Sequence, residues 1–179
     1  ETHPEFQGLL KGVLAWSNAF PESVYTFQKS AKSTITLDEI RPFILVNIGS
    51  GCSVNYFSET AQLLHVAGTS FGGSTILGFA RKMFQINEFN SILELFKEYL
   101  DEHPNCLDDP LPPSISLLNA EYEGVKLGDR EVMKQQITAT ILHFIENICS
   151  IAYFCAKSKK AVNILFIGYS ISDAEMFHP

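Results

Sequence analysis

Apolar residues along this chain switch between two spacings, and the switches mark out the elements. Phe6, Leu9, Leu10, Val13, Leu14 and Ala15 recur at helical spacing from Phe6 to Phe20, and Pro21 ends the run. Residues 21–41 are polar, with Tyr25, Phe27 and Ile35 scattered among them, and read as a loop with a weak strand. Phe43-Ile44-Leu45-Val46-Asn47-Ile48 is a continuous apolar run of the kind found in a strand buried on both faces. Two shorter strands are expected at Cys52–Phe57 and Gln62–Ala67, linked by a Ser58-Glu59-Thr60 turn. Helical spacing returns at Ser74–Phe84 and at Phe89–Tyr99. The stretch Asp101–Pro113 carries four prolines and several acids and reads as a loop or lid. Arg130–Lys157 reads as a long helix, apolar over too wide an arc for a surface helix. Ala161–Ile167 is a fourth strand, closed by Gly168.

The breaks between these elements carry the chemistry. The buried strand stops at Gly49-Ser50-Gly51, and a second cluster, Gly68-Thr69-Ser70-Phe71-Gly72-Gly73, opens a helix. Glycines let main-chain amides approach an anion closely, and a helix N-terminus adds its positive dipole end. Two such breaks suggest a protein that holds phosphates between backbone cradles. Neither is a Walker A loop, because no Gly-Lys-Ser/Thr follows, and neither has Rossmann spacing.

Composition narrows the field. The chain has 179 residues, 46% hydrophobic and 18% charged, which reads as one globular α/β domain. A formal net charge of −7 argues against a nucleic-acid surface, and the short Lys157-Ser158-Lys159-Lys160 run reads as a solvated loop. Cys52, Cys106, Cys149 and Cys155 form no CxxC pair, and Cys149 and Cys155 read as buried thiols in the apolar helix. A reducing, cytoplasmic setting is the expectation. No signal peptide is visible, and no apolar run reads as long enough to span a bilayer. The start, Glu1-Thr2-His3-Pro4, lacks a Met, as a fragment would.

The order of elements, three sequential antiparallel strands followed by helices and a parallel strand, is that of a ribonuclease-H-like lobe. That lobe recurs in the actin-like ATPase and sugar-kinase superfamily. Several blocks resemble the eukaryotic-type (type II) pantothenate kinases more closely. They are Phe6–Ser17, Pro42–Ser53, Val66–Gly78, Asn147–Ala156 and Ile164–Gly168. The resemblance implies a single domain over 1–179 that corresponds to the family's C-terminal lobe, with 1–20 as leading helix and 42–179 as core. It implies ATP-dependent phosphorylation of pantothenate, the first step of coenzyme A synthesis, with ATP and Mg2+ as cofactors. Acyl-CoA is implied as a possible inhibitor, and a homodimer or a heteromer with a related kinase subunit as the assembly. Ser50, Ser53 and His65 fall where the family contacts pantothenate or acyl-CoA. Gly49, Gly51, Gly68, Thr69, Ser70, Gly72 and Gly73 fall where it holds nucleotide phosphates.

The departures weigh as much. Twelve residues after Ser53 the family has an arginine, whereas this chain has His65, which is shorter and lacks the guanidinium fork. The family's Asp-rich middle segment is unrecognisable between residues 85 and 125. Its Asp-Ile-Gly-Gly-Thr loop and its base glutamate have no counterpart in these residues, so no catalytic residue is assigned, and none as metal ligand. The segment by itself is therefore expected to show no turnover. A second reading follows, a kinase-like subunit that binds nucleotide or acyl-CoA without transferring phosphate. His143 reads as a satisfied core or interface group, and Trp16, Tyr25, Phe27 and Tyr56 as core or interface aromatics. The acids of Asp101-Glu102-His103 and Asp108-Asp109 read as a solvated loop.

Overall fold

A computed structural model describes residues 4–28, 31–106 and 129–168. The elements run α1 (Pro4–Ala19), a 3-10 turn (Pro21–Ser23), β1 (Tyr25–Gln28), β2 (Ala31–Thr34), β3 (Phe43–Ile48), β4 (Cys52–Phe57), β5 (Leu63–Thr69), α2 (Gly73–Phe84), α3 (Phe89–Glu102), α4 (Arg130–Lys159) and β6 (Asn163–Ile167). Residues gather into two compact units. One holds 1–48, 53–68 and 151–179, the other 49–52 and 69–150.

The first unit is built on a four-stranded sheet in the order β5-β4-β3-β6. β6 runs parallel to β3, with Phe43 opposite Asn163 and Asn47 opposite Ile167. Every β3 residue except Asn47 is buried, as a central strand covered on both faces requires. Phe43 and Phe57 pack with ring centroids 4.8 Å apart in a core that includes Val24, Leu37, Ile40, Leu45 and Leu63. Leu9, Leu10, Val13 and Leu14 of α1 pack against that core, which explains their helical spacing. Gly168 ends β6 at φ +136°, where a Cβ would run into the carbonyl of Ile48. Only glycine fits there.

The second unit is helical. Ile76 and Ala80 of α2, and Ile92, Leu95, Phe96 and Tyr99 of α3, form the buried stripes of two amphipathic helices. Val132, Ile137, Ala139, Ile141, Leu142, Phe144 and Ile148 of α4 are buried as well. Phe71, in the loop ahead of α2, packs against Phe144 at 5.7 Å.

Several expectations are corrected. Residues 21–41 hold an antiparallel hairpin, β1 with β2, in place of a loop with one weak strand. Both strands are four residues long, and β2 is polar and mostly exposed, so pairing and not burial defines it. Lys32 lies over the Tyr25 ring at 4.0 Å, a contact that no periodicity announces. Asp101 and Glu102 lie in the last turn of α3, and Lys157–Lys159 in the last turn of α4, not in loops. α4 is long and apolar enough, by length and composition, to cross a membrane. Isolated polar residues interrupt its apolar run in sequence while its average stays as apolar as a spanning segment's, so no single unbroken apolar run reaches that length. Cys149 is exposed and Cys155 half-buried, and Cys52 is the buried thiol, its pKa pushed up to about 11 by burial. His143 is exposed and paired with Asn147 at 3.2 Å, and Trp16 is 59% exposed, its ring tilted against that of Phe20 with centroids 4.5 Å apart. Phe27, Asp108, Asp109 and the middle segment beyond residue 106 lie outside the described side chains.

Candidate functional site

The two glycine breaks meet in the second unit. The amide of Gly73 donates to the Gly49 carbonyl at 2.9 Å, and that of Ser74 to the Ser50 carbonyl at 3.2 Å. A helix N-terminus leaves its first amides without intrahelical partners. Here the first loop's carbonyls supply partners for two of them. The approach is close enough to dictate residue type. A Cβ on Gly72 would sit 2.5 Å from the Gly51 Cα and 2.5 Å from the Ser50 oxygen. A Cβ on Gly51 would meet the Thr69 oxygen at 3.0 Å.

The second loop also ties itself down. The Thr69 hydroxyl oxygen accepts the Phe71 amide at 3.0 Å, and the Thr75 hydroxyl donates to the Ser70 carbonyl at 3.1 Å. The amides of Thr75 and Ile76 return to the Gly72 carbonyl at 3.0 and 3.1 Å. Ser50 and Ser70 are exposed. Of the nucleotide candidates, Gly49, Gly51, Thr69, Ser70, Gly72 and Gly73 thus come together with Ser50. The amides of Gly72 and Gly73 already have protein acceptors, Thr75 Oγ1 and the Gly49 carbonyl. Gly68 ends the β5 stretch of the other unit.

The remaining substrate candidates, Ser53 and His65, form a separate group in the first unit. They sit on neighbouring strands, β4 and β5, and are joined by Asn55. Asn55 Nδ2 donates to Ser53 Oγ at 3.2 Å, and Asn55 Oδ1 faces His65 Nδ1 at 3.3 Å. Asn55 is fully buried, although an amide in a core is costly unless hydrogen-bonded. Sequence reading passed over it. The available signal was the Ser53–Asn55 spacing of two, which places both on one face of a strand. His65 also lines an open hollow of about 480 Å³ with Val66, Phe154, Cys155, Ser158 and Lys159.

One further polar cluster lies in the second unit. Oxygen and nitrogen atoms of Glu102, His103 and Glu131 fall within 4.8 Å of one another, as metal ligands would. The position is already filled by a cation of the protein. Lys134, its side chain only 6% exposed, ion-pairs with Glu102 and with Glu131, the latter at 2.8 Å. The hydrogen bond from Lys134 holds the Glu102 carboxyl below its ordinary range, and Glu102 and Glu131 hold the lysine above its own. Nearby, Arg130 Nη2 donates to both Glu98 carboxylate oxygens, at 2.7 and 2.8 Å. These pairs anchor α4 to α3.

Comparison with known proteins supplies the family. The family model described as Fumble matches residues 1–103. Pantothenate kinase 1 of Arabidopsis thaliana is 31% identical over 93 residues, 51% of this chain and 24% of that protein. Type II pantothenate kinase of Bacillus anthracis is 26% identical over 140 residues, 74% of this chain and 50% of that protein. The 4'-phosphopantetheine phosphatase of Mus musculus is 25% identical over 176 residues, 91% of this chain and 22% of that protein. The chain therefore spans between a fifth and a half of the length of these relatives.

Proposed function

Because the chain belongs to the Fumble family, we propose that it is the second, C-terminal lobe of an ATP-dependent pantothenate kinase, of ribonuclease-H-like build. The observation that carries this reading is the pair of glycine loops laced together at the N-terminus of α2. Phosphoryl transfer depends mainly on positioning and charge stabilisation, which a rigid loop pair at a positive helix end can supply. The glycines act first as a frame. Gly51, Gly72 and Gly73 are committed to holding the loops together, so phosphate oxygens would be met by the exposed Ser50 and Ser70 hydroxyls and by the α2 dipole.

Pantothenate or acyl-CoA would be met in the first unit by Ser53 and His65. ATP, when bound, supplies the transferred phosphoryl group. Mg2+ favours carboxylate and phosphate oxygens, and residues 49–53 and 68–75 contain no carboxylate. These loops do not fit as its direct ligands, and no step here is assigned to the metal. The proton of the pantothenate hydroxyl would go to a carboxylate base that the family places on its first lobe. Dimerisation, inhibition by acyl-CoA and a cytoplasmic location belong to the same reading.

A second reading has its own support. His65 replaces the family arginine, and the relative covering 91% of this chain is named for a phosphatase, not a kinase. On this reading the lobe binds nucleotide or acyl-CoA without transferring phosphate. Transfer of labelled phosphate from ATP to pantothenate by the full-length protein separates the two. Labelled 4'-phosphopantothenate supports the kinase. Binding of nucleotide or acyl-CoA without product supports the second reading, and binding of neither overturns both. The 179-residue segment alone is expected to show no turnover.

A further inference from the structure

We infer that Asn55 is the positioning residue of the proposed substrate site, setting which atoms of Ser53 and His65 carry the protons offered to a ligand. The inference rests on the kinase-family reading of Ser53 and His65, but the role given to Asn55 comes from geometry alone.

A primary amide is a two-ended group, with an oxygen that only accepts and a nitrogen that only donates. Asn55 uses both ends on the two candidate residues. Its Oδ1 lies 3.3 Å from His65 Nδ1, so that nitrogen must carry a hydrogen for the contact to be a bond. Its Nδ2 donates to Ser53 Oγ at 3.2 Å, so the serine oxygen is the acceptor there. The serine then keeps its own O–H for another acceptor. Asn55 is fully buried between the two, which fixes the amide where a surface side chain would rotate freely.

Two consequences follow for recognition. Ser53 becomes a committed hydroxyl donor, suited to a carboxylate, carbonyl or phosphate oxygen. His65 becomes the Nδ1–H tautomer when neutral, leaving Nε2 as its acceptor nitrogen. Protonating His65 is compatible with this polarity, because Nδ1 is already the donor toward Asn55. The reverse polarity, with Asn55 turned over, would make Ser53 spend its proton on the amide. The family arginine needs no such arrangement, because a guanidinium has no tautomer to fix and no acceptor to misplace. A histidine at this place does need one.

Two substitutions separate the ends of the amide. Asn55→Asp keeps an acceptor for His65 and removes the donor to Ser53. Asn55→Leu removes both at similar volume. Nitrogen-15 imidazole spectra, with His65 identified by its loss in His65→Gln, read the tautomer directly. The wild type and Asn55→Asp are expected to hold neutral His65 as Nδ1–H, and Asn55→Leu to release it toward Nε2–H. Titration of pantothenate and of acetyl-CoA is expected to show roughly tenfold weaker binding in Asn55→Asp, the value of one lost hydrogen bond to a charged group. A wild-type Nε2–H tautomer, or unchanged affinity in Asn55→Asp, overturns the inference. If Asn55→Leu does not fold, the wild-type tautomer and the Asn55→Asp affinity still decide. A wild type that binds neither probe sinks the kinase reading, while the tautomer still rules on Asn55.

Discussion

The glycine loops of the second unit and the Ser53–Asn55–His65 chain of the first achieve precision by opposite means. The loops are joined to each other by backbone, through carbonyl-to-amide bonds and a contact so close that no side chain fits between them. The strand pair is positioned by side chains, through an amide that bridges two neighbouring strands. Backbone packing of this kind restricts sequence to glycine and tolerates no exchange. A side-chain bridge restricts polarity and leaves shape more negotiable. The first should therefore fail abruptly on mutation, and the second by degrees.

The largest effect is expected at Gly72. Gly72→Ala forces a methyl to within 2.5 Å of backbone atoms in the facing loop, and should cost about 2–4 kcal/mol. Gly49→Ala, with nothing within 4 Å of its Cβ, should change stability by less than about 0.5 kcal/mol. Chemical denaturation of both variants measures the contrast. Equal losses would mean that the loop contact is not what selects glycine. A smaller effect is expected at Asn55. Asn55→Ala removes the hydrogen bonds to Ser53 and His65, with a loss of about 1–2 kcal/mol in the same experiment.

How much of each region could be read in advance follows from the same contrast. The β3 run, the helix openers and both glycine breaks were visible because burial and close approach leave few alternatives. Asn55 was not, since a polar residue in an alternating strand looks ordinary until its partners are known. The α3–α4 ion pairs were invisible for a related reason. Glu102 and Lys134 are 32 positions apart, and nothing in local spacing says that they meet. The four-residue strands β1 and β2 escaped notice because pairing defines them. Resemblance supplied Ser53 and His65, and geometry supplied what lies between them.

Smaller effects test the rest of the second unit. The Thr138 hydroxyl is fully buried and has no hydrogen-bond partner among the described residues, whereas Thr140 donates to the Gln136 carbonyl at 2.8 Å. Thr138→Val should stabilise by about 1 kcal/mol, and Thr140→Val should not, on thermal or chemical melting. The ion pairs give a pH signature. Lys134 lowers Glu102 below its ordinary value of 4.5, so their contribution is full above pH 4.5 and fades as pH falls through the depressed folded value. Lys134 is raised above 10.5, so on the alkaline side the same contribution is full below pH 10.5 and lost as pH rises through the raised value. Lys134→Met should remove the acid-side dependence that Glu102 contributes. An unchanged acid melting profile would show that the cluster does not anchor α4.

The central claim, that the laced loops face the phosphates of a nucleotide, is tested most directly by amide chemical-shift mapping with a non-hydrolysable ATP analogue. Perturbations should centre on residues 49–51 and 69–75, persist in Gly49→Ala and vanish in Gly72→Ala. Saturable binding of the analogue with its perturbations elsewhere, and those loops silent, would contradict the account.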